Sequence, residues 1–456
     1  MLTDLWEREG PELAFAVGRR RIGKSFVLSR FARAVNGVYY QATKRAEKEQ
    51  LAGISRVLGA HFEDAGLAAG LEFPSWEAVF DFITAHADRQ SLLLMIDEFP
   101  YLVEAAPALP SVIQKYWDHD WQGKGIKLVL SGSYVSAMTR LEAADQPLYG
   151  RRTAKLVFEP FTYRDAALFT PRYSPRDSLI AYGAFGHLPG NLALQDDEDG
   201  PDASIAGMLL DTAGRLADDA QILLDAFLGD SAVYYAILEA VATGNQTWKG
   251  ITNRVGRTGG SLSRPLKWLE EMGLIDRVTP ISVDNPARSK RTQYRVADPY
   301  VRFWHRLVSP LVSAGMLGMV EPRRLWTEWI VPRLDDYMGL VFESACRDFV
   351  RRSDALPFAP LRVGEWWDAT STQQIDIVAL GGRDELLVAE CKWGRVTRQD
   401  LSTLRERSAE VVKELGMQPK AMHLACFSGS GTVDSDVEAA VRQEEVLYFD
   451  ASDLYR

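Results

Sequence analysis

An eight-residue loop near the N-terminus constrains the fold of this chain more than any other feature. The apolar run Leu13 to Val17 predicts a buried strand, and Phe26 to Val35 has the spacing of a helix. Between them the residues follow the pattern G-x-x-x-x-G-K-S, which binds phosphate when it joins a strand to a helix. The loop consists of Gly18, Arg19, Arg20, Arg21, Ile22, Gly23, Lys24 and Ser25. The sequence therefore predicts a parallel α/β domain that binds ATP.

The loop residues have distinct expected roles. The glycines allow backbone N–H groups to point at phosphate oxygens, and the following helix adds partial positive charge. Lys24 is expected to reach the β- and γ-phosphates, and Ser25 to ligate Mg²⁺. We therefore expect all eight residues to contact ATP, with Lys24 also contributing to catalysis.

A second apolar run, Leu92 to Ile96, ends in two carboxylates. Asp97 is expected to hold Mg²⁺ through water, and Glu98 to polarise the water that attacks ATP. Acidic residues are common at strand ends, so the expected roles of this pair depend on the presence of the phosphate-binding loop upstream. A predicted strand at Val38 to Gln41, together with a Glu after the Asp, indicates the ATPase branch of P-loop proteins, which has an added central strand.

Two later stretches offer further candidates for the nucleotide site. The predicted strand Ile126 to Leu130 is followed by Ser131 and Ser133. Ser131 could sense the γ-phosphate, although either serine could instead cap a helix. Arg151, beside Arg152, could stabilise transition-state charge in a neighbouring subunit, or both arginines could be ordinary surface residues.

Several motifs in order resemble those of the archaeal-type ATPases related to the STAND and AAA+ NTPases. The motifs are GRRRIGKS, LLLMIDEF, LVLSGSYVSAM, LYGRR and FGHLPGNL. The resemblance covers about the first half of the chain and implies ATP hydrolysis. Pro189 matches the proline of the family's Gly-Gly-x-Pro loop, which implies contact with the nucleotide, whereas His187 stands where the family has glycine.

A basic segment in the middle of the chain predicts a DNA-binding module. Residues 245–302 hold eleven Lys and Arg against five Asp and Glu, a local charge of +6 in a chain of net charge −10. Such an island favours contact with the phosphates of double-stranded DNA, although the module could also serve as a lid or a protein contact. The candidate contacts are Ser261, Arg264, Lys267, Arg288, Lys290 and Arg291.

The order of predicted elements in this segment is typical of a winged helix-turn-helix. Three stretches have helical spacing, and two predicted strands then surround a polar loop. The helices are predicted at Asp218 to Thr243, Thr247 to Val255 and Ser261 to Met272, and the strands at Leu274 to Thr279 and Thr292 to Val296.

The last third of the chain carries carboxylates in a nuclease-like order. Glu343 lies in an amphipathic helix and Asp376 in an apolar strand, and Glu390 and Lys392 share one face of a longer strand. This order resembles the PD-(D/E)xK nuclease superfamily and the C-terminal domain commonly fused to such ATPases. An inactive relative that keeps the fold is the alternative.

The chemistry of these residue types suits a metal-dependent nuclease. Asp376 and Glu390 would supply hard oxygen ligands to Mg²⁺, with Glu343 as a further ligand or water holder. Lys392 would orient water or offset charge on the phosphate. Glu390 and Lys392 are therefore the candidate catalytic residues of this part.

Taken together, the sequence predicts an α/β multidomain protein. We expect a P-loop ATPase domain with a helical lid (residues 1–215), a winged helix-turn-helix (216–310) and a nuclease-like α/β domain (311–456). Three widely spaced cysteines and the lack of a long apolar run indicate a cytoplasmic protein without a membrane partner, which could form homo-oligomers. The expected function is ATP hydrolysis coupled to DNA contact and to a nucleotide-gated endonuclease. The alternative is a DNA-binding switch, or a signalling ATPase, with an inactive scaffold.

Overall fold

The computed structural model divides into two compact units, residues 1–160 and 161–456, which are described separately. The structure describes residues 1–87, 91–133, 135–221, 231–257, 259–382 and 384–456. Part of the predicted helix Asp218 to Thr243 (residues 222–230) lies outside the described residues. The predicted boundaries at 215 and 310 stay predictions.

The first unit contains a five-stranded parallel sheet in the order β2-β3-β4-β1-β5. Each central strand is a continuous apolar run, as expected for strands that are covered on both faces. β4 lies between β1 and β3, so the predicted added central strand is present. The strands are β1 (Glu12–Gly18), β2 (Val38–Gln41), β3 (Leu92–Asp97), β4 (Ile126–Gly132) and β5 (Ala154–Phe158).

Helices flank this sheet and bury its apolar side chains in two clusters. They are α1 (Leu2–Glu7), α2 (Lys24–Ala34), α3 (Glu47–Phe62), α4 (Ala65–Ala68), α5 (Trp76–Ala87), α6 (Phe99–Ala105), α7 (Leu109–Lys115) and α8 (Val135–Arg140). A π-helical turn at Tyr116–Asp120 continues α7. The parallel sheet with flanking helices has the architecture of a P-loop NTPase domain.

The second unit begins with short helices and continues into three helices and a hairpin, in the predicted order. The first helices are α9 (Tyr163–Ala167), α10 (Pro175–Phe185), α11 (Pro189–Leu192) and α12 (Gly200–Ile205), followed by a π-helical turn at Ala206–Leu210. The three-helix module is α13 (Ser231–Ala242), α14 (Trp248–Val255) and α15 (Gly259–Glu271), and its antiparallel hairpin is β6 (Ile275–Val278) and β7 (Gln293–Val296).

A long helix and a mixed sheet complete this unit. The connecting helices are α16 (Pro299–Phe303), α17 (Ser309–Ser313), α18 (Pro322–Leu325) and α19 (Val331–Arg352), with π-helical turns at Trp304–Val308 and Trp326–Ile330. The sheet has the order β12-β11-β10-β9-β8, antiparallel from β8 to β10 and parallel from β10 to β12. Its strands are β8 (Arg362–Trp367), β9 (Gln374–Leu380), β10 (Glu385–Lys392), β11 (Ala421–Ser428) and β12 (Val446–Asp450), flanked by α20 (Arg398–Leu415) and α21 (Ser435–Arg442).

All three cysteines are buried and unpaired, which is typical of cysteine as a small apolar side chain. Among the described residues, no helix is both long enough and apolar enough to cross a bilayer.

His305 is buried in the second unit without a polar partner for its side chain among the described residues. Its imidazole is buried against Tyr235 and Trp304, with ring centroids 4.8 and 5.2 Å away. Within the described residues, neither ring nitrogen has a hydrogen-bond partner. Burial lowers the pKa of His305 from 6.5 to about 3. The folded chain therefore keeps this ring neutral at pH values where the unfolded chain protonates it.

We expect His305→Phe to make the protein less sensitive to acid. In the wild type, this residue should lower the free energy of unfolding by about 1.4 kcal/mol for each pH unit below the unfolded pKa. The loss should continue until the pH reaches the folded pKa. Urea unfolding between pH 7.5 and pH 4.5 measures the difference in unfolding free energy between the two proteins. The contributions of the other titrating groups cancel in that difference. Parallel pH profiles for the two proteins would contradict the prediction.

Candidate nucleotide site and carboxylate cluster

The predicted phosphate-binding loop closes over the end of β1. Gly18 ends that strand, and a Cβ atom there would lie 2.6 Å from the carbonyl oxygen of Phe158 on β5. Any larger residue would therefore push the neighbouring strand away. Arg21 and Gly23 have positive φ angles of 63° and 88°, which turn the backbone just before α2 begins at Lys24. The loop thus joins a strand to a helix as predicted.

The ammonium group of Lys24 lies buried inside this loop. Its Nζ donates to the carbonyl oxygens of Gly18 at 2.6 Å and Arg19 at 2.7 Å, and to Ser133 Oγ at 3.2 Å. Burial lowers the pKa of Lys24, while the nearby carboxylates of Glu98 and Asp97 oppose that shift. A cation held in this way lies at the centre of the loop that would surround the phosphates.

Asp97 ends β3 and contacts the loop, although β4 lies between β3 and β1 in the sheet. Ser25 Oγ donates to Asp97 Oδ2 at 2.5 Å, and the Tyr39 hydroxyl donates to the same oxygen at 2.7 Å. The contact between Ser25 and Asp97 places a hydroxyl and a carboxylate side by side, and both are the hard oxygen donors that Mg²⁺ prefers. These residues therefore fit the Mg²⁺ site expected from the sequence. Tyr39 is a further contact that the sequence reasoning did not identify.

Glu98 is connected to Lys24 through Ser133. Glu98 has a φ of 52°, and its carboxylate accepts hydrogen bonds from the hydroxyl and the N–H of Ser133. Ser133 also accepts from Lys24, so it bridges the cation and the candidate base. Ser131 is fully buried, and its hydroxyl has no hydrogen-bond partner within the described residues. The structure thus brings Ser133, rather than Ser131, into contact with Lys24 and Glu98.

The other nucleotide-site candidates have different surroundings. Arg20 donates to the Tyr101 hydroxyl at 2.8 Å, and Ile22 is buried. Arg151 forms a two-point ion pair with Asp118, at 2.8 and 2.7 Å. Pro189 begins α11 in the second unit, and its contact with the nucleotide stays a prediction.

The nuclease-like carboxylates meet at the ends of β9 and β10. Ala389 pairs with Ile377, which places Glu390 next to Asp376 across the antiparallel ladder. Asp376 Oδ2 accepts the N–H of Cys391 at 2.9 Å. Burial, reinforced by the charges of Glu343 and Glu390, raises the pKa of Asp376 well above its ordinary value.

The donor set at this cluster suits Mg²⁺. Both strand carboxylates are buried hard oxygen donors. No group of three or more His, Cys, Asp or Glu is arranged to hold a metal ion in the part of the chain that the structure describes. The three expected ligands Glu343, Asp376 and Glu390 therefore do not form such a group, and Mg²⁺ binding by Asp376 and Glu390 stays a prediction.

The other two cluster residues are held by ion pairs. Lys392 Nζ lies 2.7 Å from Glu390 Oε1 and 3.4 Å from Asp400 Oδ1. Burial lowers the pKa of Lys392, but these carboxylates outweigh it and raise that pKa above its ordinary value. Glu343 lies 3.9 Å from Arg347, and burial raises the pKa of Glu343.

Asp376→Asn should stabilise the chain at neutral and alkaline pH when no divalent metal is present. A carboxyl group with a raised folded pKa contributes its full stability below the unfolded pKa and loses it as the pH rises through the folded pKa. Asparagine keeps an oxygen acceptor for Cys391 and carries no charge. We expect a gain on the order of 1 kcal/mol at pH 8 and none near pH 4.

Urea unfolding at both pH values measures this difference, with the exposed Asp354→Asn as the matched control. Added Mg²⁺ should raise the unfolding free energy of the wild type more than that of Asp376→Asn. A variant that is less stable than the wild type at pH 8 would contradict the assignment of an electrostatically strained carboxyl group.

The candidate DNA contacts lie mostly on exposed surface. Ser261, Arg264 and Lys267 occupy the exposed face of α15, while Leu262 and Leu266 face the core. The remaining exposed candidates, Arg288 and Lys290, lie in the loop between β6 and β7.

Arg291 differs from the other five because it binds the C-terminal sheet. Its guanidinium donates to Glu414 and to the carbonyl oxygen of Trp367. In the same loop, the N–H of Ile281 donates to the carbonyl oxygen of Glu365 on β8 at 2.8 Å. The loop is therefore docked along one side on β8, and no periodic pattern in the sequence indicated this contact.

Two sequence profiles match separate parts of the chain. Residues 1–182 match the sequence profile of an ATPase domain that occurs predominantly in Archaea. Residues 304–404 match the profile of a family of archaeal and bacterial proteins of unknown function. An uncharacterized protein of Methanocaldococcus jannaschii is 27% identical over 403 residues, which are 86% of this chain and 85% of that protein.

Two solved structures are among the similar folds. The Walker-type ATPase PABY2304 of Pyrococcus abyssi is 19% identical and covers 67% of this chain and 93% of its own, with a TM-score of 0.49. The ORC2 protein of Aeropyrum pernix is 14% identical and covers 69% of this chain and 91% of its own, with a TM-score of 0.39. The profile match over residues 1–182, on a parallel sheet with a strand–loop–helix phosphate motif, identifies the N-terminal part of the chain as a P-loop ATPase domain.

Proposed function

We propose that this protein binds ATP with Mg²⁺ at the loop Gly18 to Ser25 and hydrolyses it. The observation that carries this proposal is the convergence of two contacts on the loop, Ser25 with Asp97 and Lys24 with Ser133. Ser133 also donates to Glu98, so these contacts together bring a cation, two hydroxyls and two carboxylates to the end of one parallel sheet. This set provides phosphate binding, metal binding and water activation in one place.

Each side chain then has a defined part in hydrolysis. Ser25 and Asp97 would hold Mg²⁺, which neutralises charge on the β- and γ-phosphates when bound. Lys24 would exchange its loop carbonyl acceptors for phosphate oxygens. Glu98 would accept the proton of the attacking water, with Ser133 fixing the direction of its carboxylate.

We also propose that the second unit contacts double-stranded DNA through α15 and the exposed part of the β6–β7 loop. The support is the excess of positive charge in residues 245–302, which contrasts with the acidic chain as a whole. Because Arg291 is bound to the C-terminal sheet, the contact would depend on the other five candidates.

A second activity, Mg²⁺-dependent DNA cleavage gated by the nucleotide, is favoured by the cluster on β9 and β10. The raised pKa of Asp376 indicates that its charge is poorly compensated, which a divalent cation would correct. Lys392, two residues after Glu390 on the same face, would stabilise charge on the scissile phosphate. The rival function is an ATP-dependent switch that binds DNA and uses this domain as a scaffold.

One set of assays separates these functions. ATP hydrolysis and plasmid cleavage are measured with Mg²⁺ or Mn²⁺ for the wild type, Lys392→Ala and the exposed control Lys413→Ala. The nuclease proposal expects cleavage that is lost in Lys392→Ala and kept in Lys413→Ala. An intact plasmid with the wild type, or equal cleavage by both variants, would favour the switch. Absence of ATP hydrolysis by the wild type would overturn the ATPase proposal.

A further inference from the structure

An arginine-rich cavity lies within the second unit, between the β6–β7 hairpin and α19. Its volume is about 350 Å³, which is within the range of small-molecule sites. Three of the lining side chains are carboxylates, those of Asp276, Glu343 and Glu365. Six are arginines, contributed by several separate elements: Arg277, Arg295, Arg302, Arg306, Arg347 and Arg351.

The carboxylates of the lining neutralise only some of these arginines. Glu365 forms ion pairs with both Arg295 and Arg347, and Glu343 lies 3.9 Å from Arg347. Among the described residues, Arg302 and Arg351 form no ion pair within 4 Å. Arg306 pairs with Asp336 outside the lining. The lining itself still has more positive than negative charge, inside a chain whose net charge is −10.

Two of these arginines also have a guanidinium nitrogen without an acceptor among the described residues, away from the cavity surface. The Nε atoms of Arg295 and Arg302 are buried and have no hydrogen-bond partner within the described residues. Both atoms are closed to solvent, so a ligand in the cavity would meet the outer N–H groups of these arginines instead. Phosphate and carboxylate oxygens both match the planar donors of arginine, and a phosphate monoester carries the larger negative charge.

The rest of the lining is mixed, with the polar side chains of Gln246, Thr279 and Ser344 beside a group of aliphatic ones. Val241, Val278, Val296, Leu340 and Val363 contribute to the same cavity. A ligand that fits both parts has an anionic end and a less polar body of moderate size. A mononucleotide has this combination, whereas inorganic phosphate would leave the aliphatic wall uncovered.

We propose that this cavity binds the phosphate of a nucleotide, either free or at the end of a nucleic-acid strand. The sugar and base would lie against the aliphatic wall, and the phosphate would accept hydrogen bonds from the arginines. Glu343 belongs to both this lining and the carboxylate cluster, so the bound phosphate would lie near that cluster. The site is separate from the loop at Gly18 and depends on neither ATP hydrolysis nor DNA cleavage.

Calorimetric titration of the full chain carrying Lys24→Ala, without divalent metal, tests the proposal. The probes are deoxyadenosine monophosphate, deoxyadenosine, and a tetradeoxynucleotide with and without a 5′-phosphate. We expect at least one phosphorylated probe to bind and its unphosphorylated counterpart not to bind. Binding of the monophosphate assigns a free nucleotide as ligand, and binding of only the 5′-phosphorylated strand assigns a strand end.

Substitutions locate the binding in the cavity. Arg351→Gln, on an exposed side chain, and Arg302→Gln should each weaken binding about tenfold, because each removes a charge-assisted contact. The control Arg323→Gln changes an exposed arginine on α18 and should leave binding unchanged. Thermal unfolding of each variant checks that the fold is retained. Failure of both phosphorylated probes to bind at about 1 mM, or binding that neither Arg351→Gln nor Arg302→Gln weakens, would overturn the proposal.

Discussion

Lys24→Ala should lower kcat/KM for ATP hydrolysis by about 10³-fold or more. The ammonium group lies at the centre of the loop, and its present acceptors are backbone carbonyls that a phosphate can replace. Removing it takes away the positive charge that stabilises the β- and γ-phosphates, both in the ATP complex and in the transition state. We therefore expect weaker ATP binding together with slower turnover. Steady-state phosphate release and ATP titration measure the two effects separately.

Lys48→Ala is the matched control for this substitution. Lys48 lies on α3 of the same unit and is exposed, so its loss should leave both values unchanged. Alanine at position 24 should also leave the fold intact, because Gly18 and Gly23 keep the loop conformation. Turnover by Lys24→Ala within a few-fold of the wild type would contradict the proposed ATP site.

The phosphate loop could be predicted from sequence because its requirements are local. Gly18 must approach β5, Gly23 must adopt a positive φ, and Lys24 must begin a helix, and all three conditions fall within eight residues. The strands around the loop are equally local, since each is a short apolar run. Local patterns of this kind can be recognised in a single sequence.

Contacts between distant elements could not be predicted in the same way. Ser131 and Ser133 looked equivalent in sequence, and only the path of β4 places Ser133 against Lys24 and Glu98. Tyr39 reaches Asp97 because β2 pairs with β3, an order that the sequence does not specify. Which side chains contact each other therefore depends on the order of the strands in the sheet, and patterns in a single sequence do not determine that order.

The contact between the β6–β7 loop and β8 is the clearest case of a contact that the sequence did not predict. The charge count of residues 245–302 gives Arg291 the same weight as Arg288 and Lys290, because composition does not show which side chains face solvent. In the structure, Arg291 and Arg295 bind Glu414 and Glu365 of the C-terminal domain, which removes two charges from the basic surface. The remaining exposed charge is smaller than the count of +6 implies, so DNA binding should be weaker and less salt-dependent than that count suggests.

This docking also connects the basic module to the carboxylate cluster. Glu365 pairs with Arg295 of the hairpin and with Arg347 of α19, and Arg347 in turn lies near Glu343. A displacement of the hairpin on binding DNA would therefore change the electrostatic environment of Glu343. Such a chain of ion pairs is a physical route by which DNA contact could influence the cluster.

Glu98→Gln should separate ATP binding from ATP hydrolysis. Glutamine keeps an oxygen that can accept the hydrogen bond of Ser133, so the loop and Lys24 should stay in place. The amide cannot accept a proton from water, and loss of a general base lowers turnover by about 10²- to 10⁴-fold. ATP affinity should stay close to that of the wild type, because the phosphates and Mg²⁺ keep Lys24, Ser25 and Asp97.

Filter binding of labelled ATP and single-turnover hydrolysis measure these two quantities on the same protein. Glu104→Gln, an exposed change on α6 a few residues further along the chain, should behave like the wild type in both assays. If Glu98→Gln lost ATP binding together with hydrolysis, Glu98 would be holding the loop rather than activating water. If the variant kept wild-type turnover, another group would have to be the base. Retained binding with slow turnover would place proton abstraction at Glu98, whereas Lys24→Ala is expected to impair both steps.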